Sequence, residues 1–371
     1  MRILVDYRPA LRARTGVGEY IHTLVSAYTS THDDTVTLFT SSWKDRPSPS
    51  LASELRVRVV DRRVPVSVLN YLWHRVEWPA VETLAGDADV VHAAHPLLIP
   101  TRHAAQIVTI HDLFFLLNPQ RTRAEIRRDY AELSASHARR ADAVITSSAH
   151  TKRLVTEHLG VAPERIYICP PGAPSWKALG QAPNTPRDGH ILFLGTLEPR
   201  KNLDVLLDAY ASLLSRSRRV APLVIAGGAS PDAGPWLERI AREPLKDHVR
   251  YAGYVVHEER ESLYAGARAL VLPSLDEGFG LPVLEAMSAG VPVVTSNRGS
   301  LPEVVGTAGV LLDATDVAAW ADTIERLTMD APWASTLARA GLERARAFTW
   351  QRSADELHRA YLDAMRRRRE R

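Results

Sequence analysis

The feature that most constrains the fold is a regular alternation of short apolar runs with longer stretches of helical periodicity. In the first half of the chain the apolar runs fall at 3–5, 36–39, 90–91, 107–110 and 143–146, and helical patterns fall at 17–28 and 122–139. Short β-branched runs between helices predict parallel strands that are covered by helices on both faces. The first half is therefore predicted to form a doubly wound α/β unit.

The same alternation restarts after a segment rich in proline and glycine, which spans 169–189 and has no hydrophobic period. Such a segment is typical of a connection between domains. Further apolar runs follow at 191–194, 223–226, 249–251, 269–272 and 291–295. A chain of 371 residues also exceeds the usual size of one hydrophobic core. We therefore predict a second doubly wound domain, with a ligand bound in a cleft between the two.

The predicted boundaries follow from these patterns. A first domain should span 1–172, a linker 173–188 and a second domain 189–348. The tail over 349–371 is predicted to be a helix whose apolar positions are Leu357, Tyr361 and Leu362. The run of arginines at 366–369 is expected to be a frayed basic end.

Composition excludes several classes of protein. The chain is 45% hydrophobic and 24% charged, as in ordinary globular proteins, and 46 basic residues against 43 acidic ones argue against a nucleic-acid partner. The single cysteine, Cys169, excludes an internal disulfide and is expected to be a buried, inert thiol in a reducing compartment. The N-terminus lacks the apolar stretch of a signal peptide, and no run approaches the ~18 apolar residues of a membrane span. A cytoplasmic location is therefore expected.

A strong candidate anion site follows the run at 191–194. The segment GTLEPRKN at 195–202 places Arg200 and Lys201 just before a helical pattern at 203–214. Loops at the carboxyl ends of parallel strands bind ligands in open α/β sheets, and a helix N-terminus adds positive potential to the two side chains. Arginine can bind phosphate oxygens through two parallel hydrogen bonds. The alternative is a solvated Arg-Lys pair, which is common on protein surfaces.

A second motif, EGFGLPVLE at 277–285, follows the run at 269–272. Its glycines let the backbone approach a ligand closely, and Pro282 suits the start of a helix. Glu277 should lie in the loop and Glu285 in the first turns of that helix, where carboxylates suit the hydroxyls of a sugar and a ribose. The alternative for Glu285 is that it only stabilises the helix N-terminus.

Together these motifs resemble those of the retaining GT-B glycosyltransferases of family GT4, the group of sucrose synthases and bacterial mannosyltransferases. The resemblance covers nearly the whole chain. It implies two Rossmann-like domains that face each other across a cleft, with the C-terminal helix returning to an N-terminal, acceptor-side domain. It also implies a metal-independent hexosyltransferase without a cofactor. The substrates would be a nucleotide sugar, with GDP-mannose preferred and UDP sugars as the alternative, and a saccharide or lipid-linked acceptor in polysaccharide, O-antigen or glycolipid biosynthesis.

By this resemblance Arg200 and Lys201 would neutralise the leaving diphosphate, Glu277 would contact the transferred sugar and Glu285 would bind the ribose. His111, which ends the run at 107–110, would contact the donor sugar near the reacting carbon, with Asp112 orienting it. The implied catalytic residues are thus His111, Glu277, Arg200 and Lys201. The implied donor-binding residues are Gly16, Gly18, Thr196, Arg200, Lys201, Tyr254, Glu277, Gly278, Phe279, Gly280, Leu281 and Glu285.

Several features of the sequence bear on alternative functions and sites. The glycine loop at 15–20 lacks the third glycine of a dinucleotide fingerprint, because Ile21 stands there, so an NAD-binding function is not expected. Asp87 and Asp89 are interpreted as an accidental acid pair, and no metal site is predicted. His92 and His95 are expected at most to line the cleft. A non-catalytic sensor or scaffold on the same fold is the rival hypothesis.

Two segments suggest a peripheral contact with the inner face of a membrane. Residues 68–80 combine aromatic and basic side chains, and residues 121–140 carry several arginines on a helical pattern. A basic surface with aromatic side chains can lie against anionic lipid, whereas solvated helix faces are the alternative. The side chains singled out in the first segment are Tyr71, Trp73, His74, Arg75 and Trp78.

Overall fold

The computed structural model describes residues 1–11, 16–118, 124–180, 182–217 and 220–371, and only the backbone at 124–129 and 257–258. Thr15 of the predicted glycine loop and the first residues of the arginine-rich segment, 121–123, therefore lie outside the described residues. The chain divides into two compact units. The first comprises Met1–Gly172 together with Thr349–Arg371, and the second comprises Ala173–Phe348.

In the described part of the first unit, a seven-stranded parallel sheet has the order β3-β2-β1-β4-β5-β6-β7. Its strands are β1 Arg2–Asp6, β2 Thr35–Thr40, β3 Arg58–Asp61, β4 Val90–Ala93, β5 Ala105–Ile110, β6 Ala143–Thr146 and β7 Ile166–Ile168. The helices are α1 Gly16–Thr31, α2 Leu51–Leu55, α3 Val66–Tyr71, α4 Val81–Ala85, α5 Phe114–Leu117, α6 Ala124–Arg140 and α7 Ala149–Leu159.

Both faces of this sheet are buried, as the continuous apolar runs predict. Ile3 and Val5 belong to one hydrophobic cluster, and Leu4 between them belongs to another. Since successive side chains of a strand point to opposite faces, the two clusters cover the two sides of the sheet.

In the described part of the second unit, a six-stranded parallel sheet has the order β10-β9-β8-β11-β12-β13. Its strands are β8 His190–Leu194, β9 Leu223–Ala226, β10 Val249–Gly253, β11 Ala267–Leu272, β12 Val293–Ser296 and β13 Val310–Leu312. The helices are α8 Leu203–Arg216, α9 Gly234–Ile240, α10 His257–Ala265, α11 Leu281–Ser288, α12 Leu301–Val305, α13 Val317–Met329 and α14 Ala331–Ala345. The prediction of two parallel α/β sheets is confirmed.

The last helix, α15 Trp350–Arg369, packs on the first unit. Its residues Leu357 and Tyr361 join the cluster that contains Ile3 and Val5. The predicted third apolar position is wrong as a packing site, because Leu362 is 47% exposed. The basic end is not frayed either, since Arg367 donates hydrogen bonds to the carbonyl oxygens of residues 142 and 164.

The segment 173–188, predicted as a linker, is grouped with the second unit. The indole of Trp176 lies 5.5 Å from the ring of Tyr264 and donates a hydrogen bond of 2.8 Å to Ser288 Oγ. These contacts explain why a stretch without hydrophobic period is nevertheless part of a packed unit. Within the described ranges, no helix combines the length and apolar character needed to cross a bilayer.

Candidate functional site

The order of strands in the second sheet reverses between β8 and β11. These two strands are parallel neighbours, with Ile191 beside Ala269 and Leu192 beside Leu270. The segments that follow them therefore leave the sheet at the same edge, where open α/β sheets form their ligand sites. One hydrogen bond, from the amide of Leu275 to the carbonyl of Arg200 at 2.8 Å, joins the two segments directly.

At this edge the two predicted motifs meet through ion pairs. Arg200 and Lys201 lie in a 3₁₀ turn, Pro199–Lys201, and Glu277 lies on the segment after β11. Lys201 Nζ is 2.5 Å from Glu277 Oε1, and Arg200 Nη1 is 3.2 Å from Glu277 Oε2. The side chains of Lys201 and Glu277 are both buried. The alternative of a solvated Arg-Lys pair is therefore wrong for Lys201.

Glu277 is held as a carboxylate. Burial disfavours its charged form, but the charges of Lys201 and Arg200 outweigh that effect and hold its pKa below the usual range. The hydroxyl of Ser274 donates a further hydrogen bond of 2.7 Å to Glu277 Oε1. An ionised, oriented carboxylate at this edge can accept hydrogen bonds from hydroxyl groups of a ligand.

The motif also supplies residues to which the sequence analysis gave no role. Glu198 accepts hydrogen bonds from Arg200 Nε at 3.2 Å and from Nη2 at 2.8 Å through the same oxygen, Oε1. Asn202, with a left-handed φ of 55°, donates from its amide to the carbonyls of Pro273 and Ala314. Glu198 thus orients the guanidinium, and Asn202 fixes the turn against the neighbouring segment.

The second predicted acid, Glu285, lies on α11 and is buried. Its Oε1 is 2.6 Å from Arg260 Nη1, and its Oε2 accepts a hydrogen bond of 2.8 Å from the hydroxyl of Tyr264. Neither partner was predicted from the sequence. Their spacing could have pointed to them, since residues four apart on a helix share one face and both lie on α10. Contact of Glu285 with a ribose stays a prediction.

The other predicted donor-binding residues of the second unit lie after its strands or at the start of α11. Gly280 precedes α11 with a φ of 96°, a conformation that favours glycine. The side chain of Phe279 is buried against Phe348, so this residue can offer a ligand only its backbone. Thr196 is exposed after β8, Tyr254 is exposed after β10, and Gly278 and Leu281 are partly buried.

In the first unit, the predicted glycine residues open α1. Gly16 is exposed and Gly18 is buried. A Cβ atom at Gly18 would lie 3.2 Å from the carbonyl oxygen of Pro9 and 3.3 Å from the Cα of Ala10, which is tighter than nearly all real contacts. Gly18 is therefore explained by close packing of α1 on the turn after β1, and a contact with donor stays a prediction.

His111 directly follows β5 and is partly buried. Its ring packs edge-on against Tyr20, with centroids 5.3 Å apart. Burial lowers the pKa of His111 to about 4, so the imidazole is neutral at pH 7. Its Nε2 atom is buried and has no hydrogen-bond partner in the described part of the protein. Asp112 accepts a hydrogen bond from the amide of Phe114, so it caps the following turn.

A charged cluster that the sequence analysis missed lies where the first sheet reverses its order, between β1 and β4. Asp6 is fully buried and receives hydrogen bonds from Arg8 Nε at 2.8 Å and Nη2 at 2.7 Å. His95 Nε2 lies 3.1 Å from Asp6 Oδ2, and Asn70 accepts from Arg8 Nη1. Burial raises the pKa of Asp6, but the charge of Arg8 outweighs it and the net shift is strongly downward.

Two expectations about histidines in this unit need correction. His92 does not line a cleft, because it is buried and contacts the hydroxyls of Tyr361 at 2.8 Å and Thr109 at 2.7 Å. His74 and Trp73 do not belong to a surface, since both are buried. Asp87 and Asp89, predicted to form no metal site, both pair with Arg2.

Comparison with known proteins decides the family. The family described as "Glycosyl transferases group 1" matches residues 188–330, and "Glycosyltransferase Family 4" matches residues 14–175. O-antigen chain mannosyltransferase B of Escherichia coli is 32% identical over 348 residues, which cover 86% of this chain and 88% of that protein. The chain belongs to glycosyltransferase family 4.

Solved structures agree with the fold of this glycosyltransferase. Sucrose-phosphate synthase from Thermosynechococcus elongatus has a TM-score of 0.75 at 22% identity, and 98% of each chain is covered. Anabaena Alr3699/HepE in complex with UDP-glucose has a TM-score of 0.69 at 20% identity, over 97% of this chain and 98% of that one. At such identities the likeness shows the fold alone, and this is the predicted GT-B fold.

The family matches contain the predicted site residues of the glycosyltransferase. Residues 188–330 include Arg200, Lys201, Glu277 and Glu285, and residues 14–175 include His111. The structure brings the first three of these together and places Glu285 nearby on α11, the helix that follows the Glu277 segment. The catalytic and donor-binding roles of these residues remain predictions.

Proposed function

We propose that this glycosyltransferase is a retaining enzyme that transfers mannose from GDP-mannose to a saccharide or lipid-linked acceptor in polysaccharide, O-antigen or glycolipid biosynthesis. The identity to an O-antigen mannosyltransferase along most of both chains supports mannose as the transferred sugar. We further propose that the enzyme works in the cytoplasm, at the inner face of the membrane, without a nucleic-acid partner.

The observation on which the mechanism depends is the buried meeting of Arg200, Lys201 and Glu277 at one edge of the sheet. Cleavage of a sugar–phosphate bond leaves positive charge at the anomeric carbon and negative charge on the diphosphate. Fixed cations beside the diphosphate lower the barrier, and they act most strongly where water is excluded. Arg200 and Lys201 would supply this charge without a metal, sharing their hydrogen bonds between Glu277 and the phosphate oxygens.

Glu277 and His111 would act on the transferred sugar. As an ionised carboxylate, Glu277 can accept hydrogen bonds from sugar hydroxyls, and it is the candidate nucleophile should the reaction pass through a covalent intermediate. We propose instead that the acceptor hydroxyl attacks on the face that the diphosphate leaves, which retains the configuration. A neutral His111 would offer its unpartnered Nε2 to a sugar hydroxyl.

The assignment is tested by the variant Arg200→Ala with Lys201→Ala, assayed for transfer from GDP-mannose with and without a chelator. We expect transfer to be abolished in the variant and to be unaffected by the chelator in the parent protein. The matched control is Lys246→Ala with Arg250→Ala, which removes two exposed cations of the same unit. Normal turnover in the variant Arg200→Ala with Lys201→Ala would contradict the proposed role of the two cations in transfer.

Two other functions are distinguished by ligand-induced stabilisation. The fold shared with a UDP-glucose complex favours a UDP-sugar donor as the second candidate. A ligand present at a hundred times its dissociation constant raises the free energy of unfolding by about 2.7 kcal/mol. Stabilisation by GDP and GDP-mannose alone supports GDP-mannose as the donor. Stabilisation by UDP and UDP sugars would indicate a UDP-sugar donor instead. Donor binding without any transfer or hydrolysis would indicate a sugar-nucleotide sensor.

A further inference from the structure

Exposed apolar side chains are concentrated in one short segment of the first unit. Twelve large hydrophobic residues are exposed in the described part of the chain, and five of them lie within residues 66–78. Tyr71 and Trp78 are the largest, at 64% and 65% exposed. The five residues are Val66, Val68, Tyr71, Val76 and Trp78. Such a concentration marks an interaction surface, whereas single exposed apolar residues need no explanation.

The segment is firmly anchored, so its exposed side chains are held outward by the fold. Helix α3 continues into a π-helical turn, Leu72–Val76, and buries Leu69 and Trp73. The indole of Trp73 donates a hydrogen bond of 3.0 Å to the carbonyl of Pro79. Arg140 of α6 holds Glu77 through two hydrogen bonds of 2.5 and 2.8 Å.

A third exposed aromatic residue and several cations lie beside this segment. The loop after β2 contains Trp43, which is 76% exposed. This loop runs next to the start of the segment, because Ser41 Oγ donates to the carbonyl of Val64 at 2.8 Å and Arg46 pairs with Asp61 at 2.6 Å. We call residues 43–46 and 62–78 together the aromatic patch. The patch contains five Lys and Arg residues and two acids. Arg46 and Arg75 pair with acids outside the patch, Asp61 and Glu132, and the other three cations are Lys44, Arg62 and Arg63.

We propose that the aromatic patch docks this glycosyltransferase on a bilayer that contains anionic lipid. Trp and Tyr side chains prefer the boundary between headgroups and acyl chains, and valines beside them add buried apolar area. The excess of cations complements the negative surface of anionic lipid. A neutral glycan would not require this positive charge. The proposal rests on the proposed function in one respect, namely that the acceptor is lipid-linked.

The test is co-sedimentation of the full chain with vesicles, in the absence of donor and acceptor. Vesicles of phosphatidylglycerol mixed with phosphatidylcholine are compared with vesicles of phosphatidylcholine alone. We expect Tyr71→Ser with Trp78→Ser to lower the partition coefficient about tenfold or more on the mixed vesicles. Lys44→Ser with Arg63→Ser should weaken binding to the mixed vesicles only. The matched control, Met329→Ser with Leu362→Ser, removes two exposed apolar side chains elsewhere and should bind as the parent does.

Unfolding midpoints show whether each variant is folded, and Val68→Ser with Val76→Ser replaces the aromatic variant if that one is unstable. Parent protein that fails to bind the mixed vesicles overturns the proposal, and so does equal binding by the aromatic variant. A dimer that the aromatic variant abolishes, without vesicle binding by the parent, would assign the patch to a second copy of the chain. No sugar is transferred in the co-sedimentation assay. Absence of vesicle binding therefore does not contradict the proposed transfer reaction, and absence of transfer does not contradict docking on the vesicles.

Discussion

The two sheets reverse their strand order at corresponding places, between β1 and β4 in one unit and between β8 and β11 in the other. A buried carboxylate meets a cation at both places, but the pairs are built differently. Asp6 and Arg8 are two residues apart, so their pair is local to one strand end. Glu277 is 76 residues from Lys201, so their pair joins two separate segments.

This difference predicts different ligands. At the first place Arg8 is held by Asp6 and Asn70, and the nearby imidazole of His74 is neutral, with a pKa lowered to about 3 by burial. At the second place the two cations Arg200 and Lys201 converge on one buried acid. A guanidinium that already pairs with an acid of its own strand end suits uncharged hydroxyls, whereas two cations that converge beside a second segment suit a diphosphate.

The largest expected effect is that acid destabilises the first unit more than the second. Burial lowers the pKa of His74 and His92 to about 3, and that of His111 and His137 to about 4. Between pH 6.5 and 4 the unfolded chain therefore binds protons at these positions that the folded chain does not, and stability falls as the pH falls. Each group contributes at most about 1.4 kcal/mol per pH unit in this window.

Hydrogen exchange at pH 7 and pH 5.5, corrected for the intrinsic rates, measures this effect separately in the two units. Strands β4 and β6 should lose protection before β9 and β11. In the described part of the second unit, only His190 has a pKa that is lowered in this way. Parallel loss of protection in both units would show that the histidines do not set the acid stability.

The next effect concerns the local pair in the first unit. Asp6→Asn leaves the guanidinium of Arg8 buried without its carboxylate, which should cost about 3–5 kcal/mol of unfolding free energy. Asp6→Asn with Arg8→Met removes both charges and should cost clearly less. Urea denaturation measures both, and Asp87→Asn is the control because its side chain is exposed. Equal losses of unfolding free energy in the single and double variants would mean that the unpaired charge of Arg8 is not the cause of the destabilisation.

The corresponding change in the second unit should act mainly on the reaction. Lys201→Met removes one of two cations at the proposed leaving group, so kcat/KM for transfer should fall about 100- to 1000-fold. Stability should change less than with Asp6→Asn, because Glu277 keeps its hydrogen bonds to Arg200 and Ser274. Lys246→Met, at an exposed position, is the control. Unchanged kcat/KM would contradict the proposal that the cations of the second unit act on the leaving diphosphate.

Much of this architecture could be predicted from sequence, because short apolar runs that alternate with helical periods identify strands and helices locally. The strands β3, β7 and β13 were missed; all three are edge strands, whereas every strand that was predicted except β10 lies inside its sheet. Trp73 was placed on a surface by its polar neighbours, although its spacing of four from Leu69 puts both on one buried helix face.

The site shows the same limit. The motifs identified Arg200, Lys201 and Glu277 one by one, but their ion pairs depend on β8 lying next to β11, which follows from the order of strands and not from either motif. The pairing of Asp6 with Arg8 was missed for a different reason. An Asp and an Arg two residues apart look like solvated charges until the strand end is known to be buried.

The smallest expected effect separates two roles of Glu198, the acid that orients Arg200. If Glu198 positions the guanidinium for the diphosphate, Glu198→Ala should raise the KM for the donor about 3- to 10-fold, as expected for loss of one hydrogen bond. Glu198→Gln keeps an acceptor oxygen and should behave nearly as the parent does, with kcat changed little in both. If Glu198 instead competes with the diphosphate for Arg200, both variants would lower the donor KM, because both remove a negative charge. Steady-state kinetics with varied donor concentration therefore shows whether Glu198 orients Arg200 for binding the diphosphate or competes with the diphosphate for Arg200.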